Sequence, residues 1–177
     1  KEYRPAAHSI SNGQVLMRDY SFSEARTVLR EMADASCLDL CSKGLSCGNV
    51  SVHVSYAQPY LTESGRWGMG SGGSTKLSER TDSSHRIVKV ALELFDKHTL
   101  NSEPIRRLTV ALGALQPTKY DQPSLFSSED DGKEADLAKA SIAVRDRFGK
   151  NALLRGTSLK QGATMRERNN QIGGHRA

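Results

Sequence analysis

From Asn49 to Ala57 the chain reads N-V-S-V-H-V-S-Y-A, with apolar and polar residues in strict alternation. Val50, Val52, Val54 and Tyr56 fall on one face and Ser51, His53 and Ser55 on the other, which predicts a strand buried on one side only. Before it, "SFSEARTVLREMADASCLDLCSKG" places Phe22, Ala25, Val28, Leu29, Met32 and Ser36 at helical spacing. Ser21 and Glu24 are spaced for a capping box, and Gly44 suits the helix C-terminus. A second helix is expected in "TDSSHRIVKVALELFDKH", capped by Asp82 or Ser83, with Ile87, Val90, Ala91, Leu94 and Phe95 as its inner stripe.

Three more strands complete the pattern. Residues 10–20 read as a strand broken at Asn12-Gly13 by a turn or bulge. A short strand is expected over Ser74–Glu79, and "IRRLTVALGAL" gives the last, with Leu108, Val110 and Leu112 on one face. Residues 58–74 hold Pro59, five glycines and the only tryptophan, Trp67, and read as a hairpin-like loop. A third helix is expected over about 134–148, with Leu137, Val144 and Phe148. Beyond it "GTSLKQGATMRERNNQIGGHRA" has little periodicity and reads as a basic tail. The order β-α-β-β-α-β predicts an α+β fold: a four-stranded antiparallel sheet with two helices on one face, plus a C-terminal helix and the tail. The other face of the sheet is left open.

The 177 residues suit one ordinary domain with appendages. The net charge of +5 and pI of about 9.2 fit a polyanionic partner. No apolar run approaches the roughly 18 residues of a membrane span, and no signal-peptide pattern opens the chain. Cys37, Cys41 and Cys47, at C-x3-C-x5-C, match no common zinc spacing and read as reduced thiols. A cytoplasmic setting and no membrane partner are expected.

Chemistry by catalysis finds no support. Glu24, Glu31, Asp34, Glu93 and Asp96 are scattered over helix surfaces rather than clustered for a metal. The five histidines lack ligand spacing, and "GRWGMGSGGSTK" lacks the phosphate-loop pattern G-x-x-x-x-G-K-[ST]. No catalytic residue, metal or cofactor is expected. Nucleic acid fits better. Strand alternation sends at least one of Arg106 and Arg107 away from the helices, and Thr75 and Lys76 come from a neighbouring strand. Such groups suit a phosphate backbone. The aromatic pattern of an RNA-reading sheet is absent, so the contact should be sequence-neutral.

The polar, acidic stretch "DQPSLFSSEDDG" carries Leu125 and Phe126 without any helical or strand period. "QPSLF", Gln122, Pro123, Ser124, Leu125 and Phe126, resembles the sliding-clamp-binding pentapeptide of bacterial replication and repair proteins, usually Q-L-[SD]-L-F. Leu and Phe would fill an apolar pocket and Gln would hydrogen-bond at its mouth. Pro123 departs from the usual Leu.

Taken in order, "HSIS", "IRRLTVALGAL", "QPSLF" and "RDRFGKNALLRG" resemble the C-terminal part of Y-family translesion DNA polymerases of the UmuC/DinB (ImpB/MucB/SamB) type. "ERNNQIGGHRA" is similar to the tail of Gram-positive members. The resemblance implies a linker from a catalytic core over 1–8 and a little finger DNA-binding domain over 9–118. It implies a linker with the clamp motif over 119–132, and the helix and tail over 133–177. It makes Arg106 and Arg107, with Thr75, Lys76, Ser9 and Ser11, contacts to the backbone of primer–template DNA, and the bacterial β sliding clamp the second partner. The catalytic carboxylates and the Mg2+ they hold belong to the family's palm, placed before Lys1, so this chain should not polymerise alone. Two other readings of the residues stay open: a free-standing ferredoxin-like module that binds RNA or protein, and a small enzyme on the same fold, such as a phosphatase.

Overall fold

The computed structural model describes residues 9–62, 64–120 and 129–171. The elements are β1 (Ser9–Tyr20), α1 (Phe22–Ser42), β2 (Leu45–Leu61), β3 (Trp67–Thr81), α2 (Ser84–His98), β4 (Ile105–Gly113), β5 (Gln116–Pro117), α3 (Glu129–Phe148) and α4 (Met165–Arg168). The sheet runs β1-β4-β2-β3, all antiparallel, and β5 adds a fifth strand by pairing with Leu45 and Ser46 at the start of β2. Helices α1 and α2 lie side by side on one face of it. The expected α+β architecture is therefore the observed one, with the short β5 added.

The alternation read in β2 is the alternation built. Val50, Val52, Val54 and Tyr56 are buried against the helices, together with Leu108, Val110 and Leu112 of β4. Phe95 of α2 is fully buried and packs at a tilt against Phe22 of α1, ring centroids 4.8 Å apart. Truncating such an aromatic costs about 3–5 kcal/mol. The predicted caps are also present. The Ser21 hydroxyl accepts from Glu24 N and the Glu24 carboxylate accepts from Ser21 N, while Ser83, not Asp82, caps α2. Gly44 adopts φ 61°, the left-handed conformation that ends α1.

Four boundaries differ from the sequence reading. Strand β1 runs through Asn12-Gly13 without a turn: Asn12 pairs with Val110 and Gly13 with Thr109. Its irregularity falls between Val15 and Tyr20 instead. The supposed loop at 58–74 is mostly strand, because β2 and β3 continue past the sheet as a two-stranded ribbon. Tyr60 stabilises that ribbon by packing on Gly68 and donating its hydroxyl hydrogen to Gly70 O at 3.1 Å. Glycines carry no hydrophobic period, so the pattern hid the strand. Helix α3 starts at Glu129, inside the expected linker.

The fourth difference is the tail. Residues 149–171 form an arm that folds back on α1 and β1. The buried carboxylate of Glu31 accepts from Thr164 N at 2.8 Å and Met165 N at 3.1 Å, capping α4. Gln14 donates to the Thr164 hydroxyl at 3.0 Å, and Arg168 donates to Asn12 Oδ1. Arg155 pairs with Asp34 at 3.1 Å. Burial pushes the Asp34 carboxyl up and the Arg168 guanidinium down from their ordinary ranges. The arm is held by polar groups rather than by an apolar stripe, which is why periodicity did not reveal it.

Candidate nucleic-acid interface

The face of the sheet turned away from the helices is defined by strand register. Four rows cross β1, β4, β2 and β3: Ser9–Gly113–Asn49–Lys76, Ser11–Ala111–Ser51–Ser74, Gly13–Thr109–His53–Gly72 and Val15–Arg107–Ser55–Gly70. Rows are about 7 Å apart and strands about 5 Å apart. Most positions are glycine, alanine, serine or threonine, so the surface is flat and hydroxyl-rich. None is acidic. The strands of the sheet carry two carboxylates, Asp19 and Glu79, each within reach of an arginine: Arg106 at 3.5 Å and Arg86 at 3.8 Å.

Five basic residues lie on these strands, and their employment differs. Arg18 pairs with Glu24 at 2.5 Å and lies over the Tyr20 ring. Arg80 donates to Ala114 O. Arg106 faces Asp19. Lys76 and Arg107 form no ion pair among the described residues, and they stand at opposite ends of the open face. The Arg107 side chain lies across Gly13 of β1, where a Cβ would meet its Nη2 at 3.8 Å.

Asn49, Ser51 and Ser74 form one hydrogen-bonded cluster beside Lys76. The Ser51 hydroxyl has two acceptors, Ser74 Oγ at 3.0 Å and Asn49 Oδ1 at 3.1 Å, and Ser74 Oγ lies 3.2 Å from Asn49 Oδ1 and 3.1 Å from Asn49 Nδ2. One row away, the exposed His53 ring leans over Gly70 and Gly72. A Cβ at either glycine would sit 2.5 Å from a carbonyl oxygen of β2 and 3.1 Å from the ring. Only glycine lets the two strands and the imidazole lie this close.

The sequence-predicted residues divide as follows. Arg107, Lys76, Ser9 and Ser11 share the open face. Arg106 occupies a β-bulge: Ser55 pairs with Arg107 and Tyr56 with Ile105, leaving Arg106 as the extra residue. Thr75 pairs with Val50 and lies on the helix side, its hydroxyl donating to Lys76 O at 3.4 Å. It does not join the other five. The pentapeptide Gln122, Pro123, Ser124, Leu125 and Phe126 lies outside the described residues. Asn49, Ser51, His53 and Ser74 were not singled out from sequence. Ser51 and His53 were legible as the polar half of the β2 alternation, but Asn49 and Ser74 of β3 join them only through the register.

Behind the helices, a cavity of about 900 Å³ opens between α1, the start of α2, α3 and the arm, lined by Asp34, Cys41, Glu134, Arg145 and Leu154 among others. The three cysteines are free, and burial raises all three thiols, Cys41 and Cys47 to about 11. Among the described residues no helix is long and apolar enough to cross a membrane.

Comparison with known proteins bears on this geometry. Residues 7–125 match the family model of the impB/mucB/samB family C-terminal domain. The chain is 30% identical over 169 residues to DNA polymerase IV 2 of Bacillus subtilis (strain 168), covering 94% of this chain and 39% of that protein. It is 26% identical over 161 residues to DNA polymerase IV of Pelotomaculum thermopropionicum, covering 90% of this chain and 37% of that protein. It therefore spans under two fifths of the length of these curated relatives. Among solved structures, the complex of beta-clamp processivity factor and little finger domain of PolIV superposes with a TM-score of 0.44 at 11% identity, covering 68% of this chain and 100% of that chain.

Proposed function

The chain belongs to the impB/mucB/samB C-terminal-domain family, the little finger of Y-family DNA polymerases, and on that premise we propose that its open sheet face holds the sugar-phosphate backbone of primer–template DNA during damage bypass. The observation that carries this reading is the face itself: four rows of four positions without a carboxylate, with Lys76 and Arg107 free of ion pairs among the described residues. Cations and hydroxyls on a flat surface reach phosphates. They offer little that distinguishes one base edge from another, so the grip is sequence-neutral. A holder of this kind keeps distorted template in place without testing its bases.

The grip is one of two attachments. Gln122–Phe126 tethers the polymerase to the bacterial β sliding clamp and raises its local concentration at the primer terminus. Polymerisation itself, with its Mg2+ ions, belongs to carboxylates outside this chain, in the part of the relatives' length that it does not span. The setting is the cytoplasm, where the chromosome is copied in bacteria.

Fluorescence anisotropy with a labelled primer–template tests the grip. Non-specific holders bind at about 10⁻⁴–10⁻⁶ M at physiological salt. The Lys76→Glu, Arg107→Glu double variant should lose binding while retaining its circular dichroism. A wild-type chain that fails to bind at low salt would end the proposal, and undiminished binding by the variant would place the DNA on another surface.

A further inference from the structure

The two outer strands of the sheet present different edges. At β1 the arm bonds to Asn12 and Gln14, the register breaks between Val15 and Tyr20, and Arg18 adds a charge. Cover, irregularity and charge of this kind keep an edge from pairing with another chain. At β3, the opposite edge, residues 67–75 contain neither a charge nor a proline. The carbonyls of Val52 and Val54 point at β3, 2.5 Å from a Cβ built at Gly72 or Gly70, so their register partners Gly73 and Ser71 make the bonds to β2. Gly70, Gly72 and Ser74 therefore turn their N–H and C=O groups outwards. Among the described residues no strand pairs with this edge and no loop backbone bonds to it. Gly70 O takes the Tyr60 hydroxyl and keeps its second lone pair. Trp67 and Met69, on the same side of the strand as Leu77 by alternation, are 74% and 59% exposed.

We infer that this edge is a self-association surface, occupied by the β3 of a second copy of the chain in antiparallel pairing about a two-fold axis at Gly72. The strand is complementary to itself in that register. Gly72 meets Gly72, Gly70 meets Ser74 and Gly68 meets Lys76, each through outward backbone groups. Between them lie the non-hydrogen-bonded pairs, where side chains approach most closely: Ser71 with Gly73, Met69 with Thr75 and Trp67 with Leu77. Leu77 is itself packed on the core, so each copy covers the other's indole with a fixed aliphatic group. Arg66 falls opposite Ser78, and no like charges face each other. A slip of two residues one way sets Lys76 against Arg66. The same slip the other way sets Trp67 against Glu79 and Arg66 against Arg80. A two-fold axis through the edge runs perpendicular to the sheet, so the open faces of both copies lie on the same side of one continuous sheet. The inference stands on the edge alone and does not depend on the DNA grip.

The test is sedimentation equilibrium of the 177-residue chain over a range of concentrations, read together with tryptophan emission. A single strand pair is a small interface, so the dimer should form with a Kd on the order of 10 μM. The mass should rise from the 19.4 kDa of one chain towards twice that. Trp67 is the only tryptophan, so its emission should shift to the blue over the same concentrations. Trp67→Lys places a charge where the indole would be buried and should weaken association at least about tenfold, with unchanged circular dichroism because the side chain is exposed in the monomer. Met17→Lys, the same change at an exposed site on β1, should dimerise as wild type does. The register has its own readout: Ser78→Glu should tighten the dimer several-fold through Arg66, and Ser78→Arg should weaken it several-fold. A wild-type chain that stays monomeric at about 100 μM, well above the expected constant, overturns the inference and leaves the edge to an extended segment of some other chain. A dimer that survives Trp67→Lys unchanged lies on another surface and overturns it equally. Identical association of the two Ser78 variants overturns the register centred on Gly72.

Discussion

Arg106 and Arg107 are adjacent in β4, yet both side chains stand in solvent, because the bulge places Ile105 and Leu108 in the core on either side of them. In a regular strand one of the two would have been turned towards the helices. They are not equivalent. Arg106 faces Asp19 at 3.5 Å, whereas Arg107 has no ionic partner among the described residues. Arg107→Ala should therefore lower the salt slope of DNA binding by about one, and Arg106→Ala by less. Asp19→Asn should tighten binding by releasing Arg106. Equal slopes for the two alanine variants would mean that the pairing with Asp19 has no influence on the interface.

Glu31 connects the arm to the domain through two backbone N–H groups, at Thr164 and Met165. Removing a buried acceptor leaves its donors unsatisfied, at about 1–3 kcal/mol for each group. Glu31→Ala should release residues 149–171 while leaving the sheet intact. Limited proteolysis is the direct measure: trypsin should cut at Lys160, Arg166 and Arg168 faster in the variant. Identical cleavage and melting in both proteins would show that the arm is held by its other contacts, the Arg155–Asp34 pair and the Arg168–Asn12 bond.

These cases mark where the sequence was readable. Helices α1 and α2 and strands β2 and β4 were legible because their apolar residues recur at the period of the element, and because Ser21, Glu24, Ser83 and Gly44 punctuate them chemically. The length of β3 was not legible, since Gly68, Gly70, Gly72 and Gly73 contribute no apolar signal and their role is close approach between strands. The docked arm was hidden for a related reason: Glu31, Gln14 and Asn12 bind it by polar contacts between residues more than a hundred positions apart. At the interface, the arginine pair and Lys76 were visible as charges. Thr75 was grouped with them because it precedes Lys76, and only the pairing with Val50 puts it on the other side of the sheet. Asn49 required the register of all four strands.

The N-terminus of α1 gives an acid-stability prediction. The hydrogen bond from Arg18, and then that from the Ser21 backbone, hold the Glu24 carboxyl at about 2, against an ordinary value of 4.5. A depressed carboxyl stabilises the folded state fully above its unfolded value and loses that contribution as pH falls from about 4.5 towards 2. Glu24→Gln should therefore destabilise the protein at pH 6 and make little difference near pH 2. Ser21→Ala, which removes the reciprocal cap, should cost about 1 kcal/mol at neutral pH. Thermal melts at several pH values measure both, and a pH-independent Glu24→Gln effect would rule out the ionised carboxylate as the source.

The proposed clamp tether is tested through Leu125 and Phe126. Five residues offer little contact area, so the affinity should be modest, on the order of micromolar or about −8 kcal/mol. Most of that should come from the two apolar side chains, because they alone exchange water for a pocket. Leu125→Ala combined with Phe126→Ala should abolish binding to a purified bacterial β clamp, as measured by surface plasmon resonance. The same variant should hold duplex DNA as wild type does, because the open sheet face is untouched. Pro123→Leu restores the usual form of the pentapeptide and should tighten binding several-fold if the second position adds its own apolar contact. A weaker Pro123→Leu complex would instead mean that proline's fixed φ pre-extends the segment and outweighs the lost contact. Absence of wild-type binding at about 100 μM, far above the expected constant, would remove the clamp from the proposed function and leave the DNA grip standing alone.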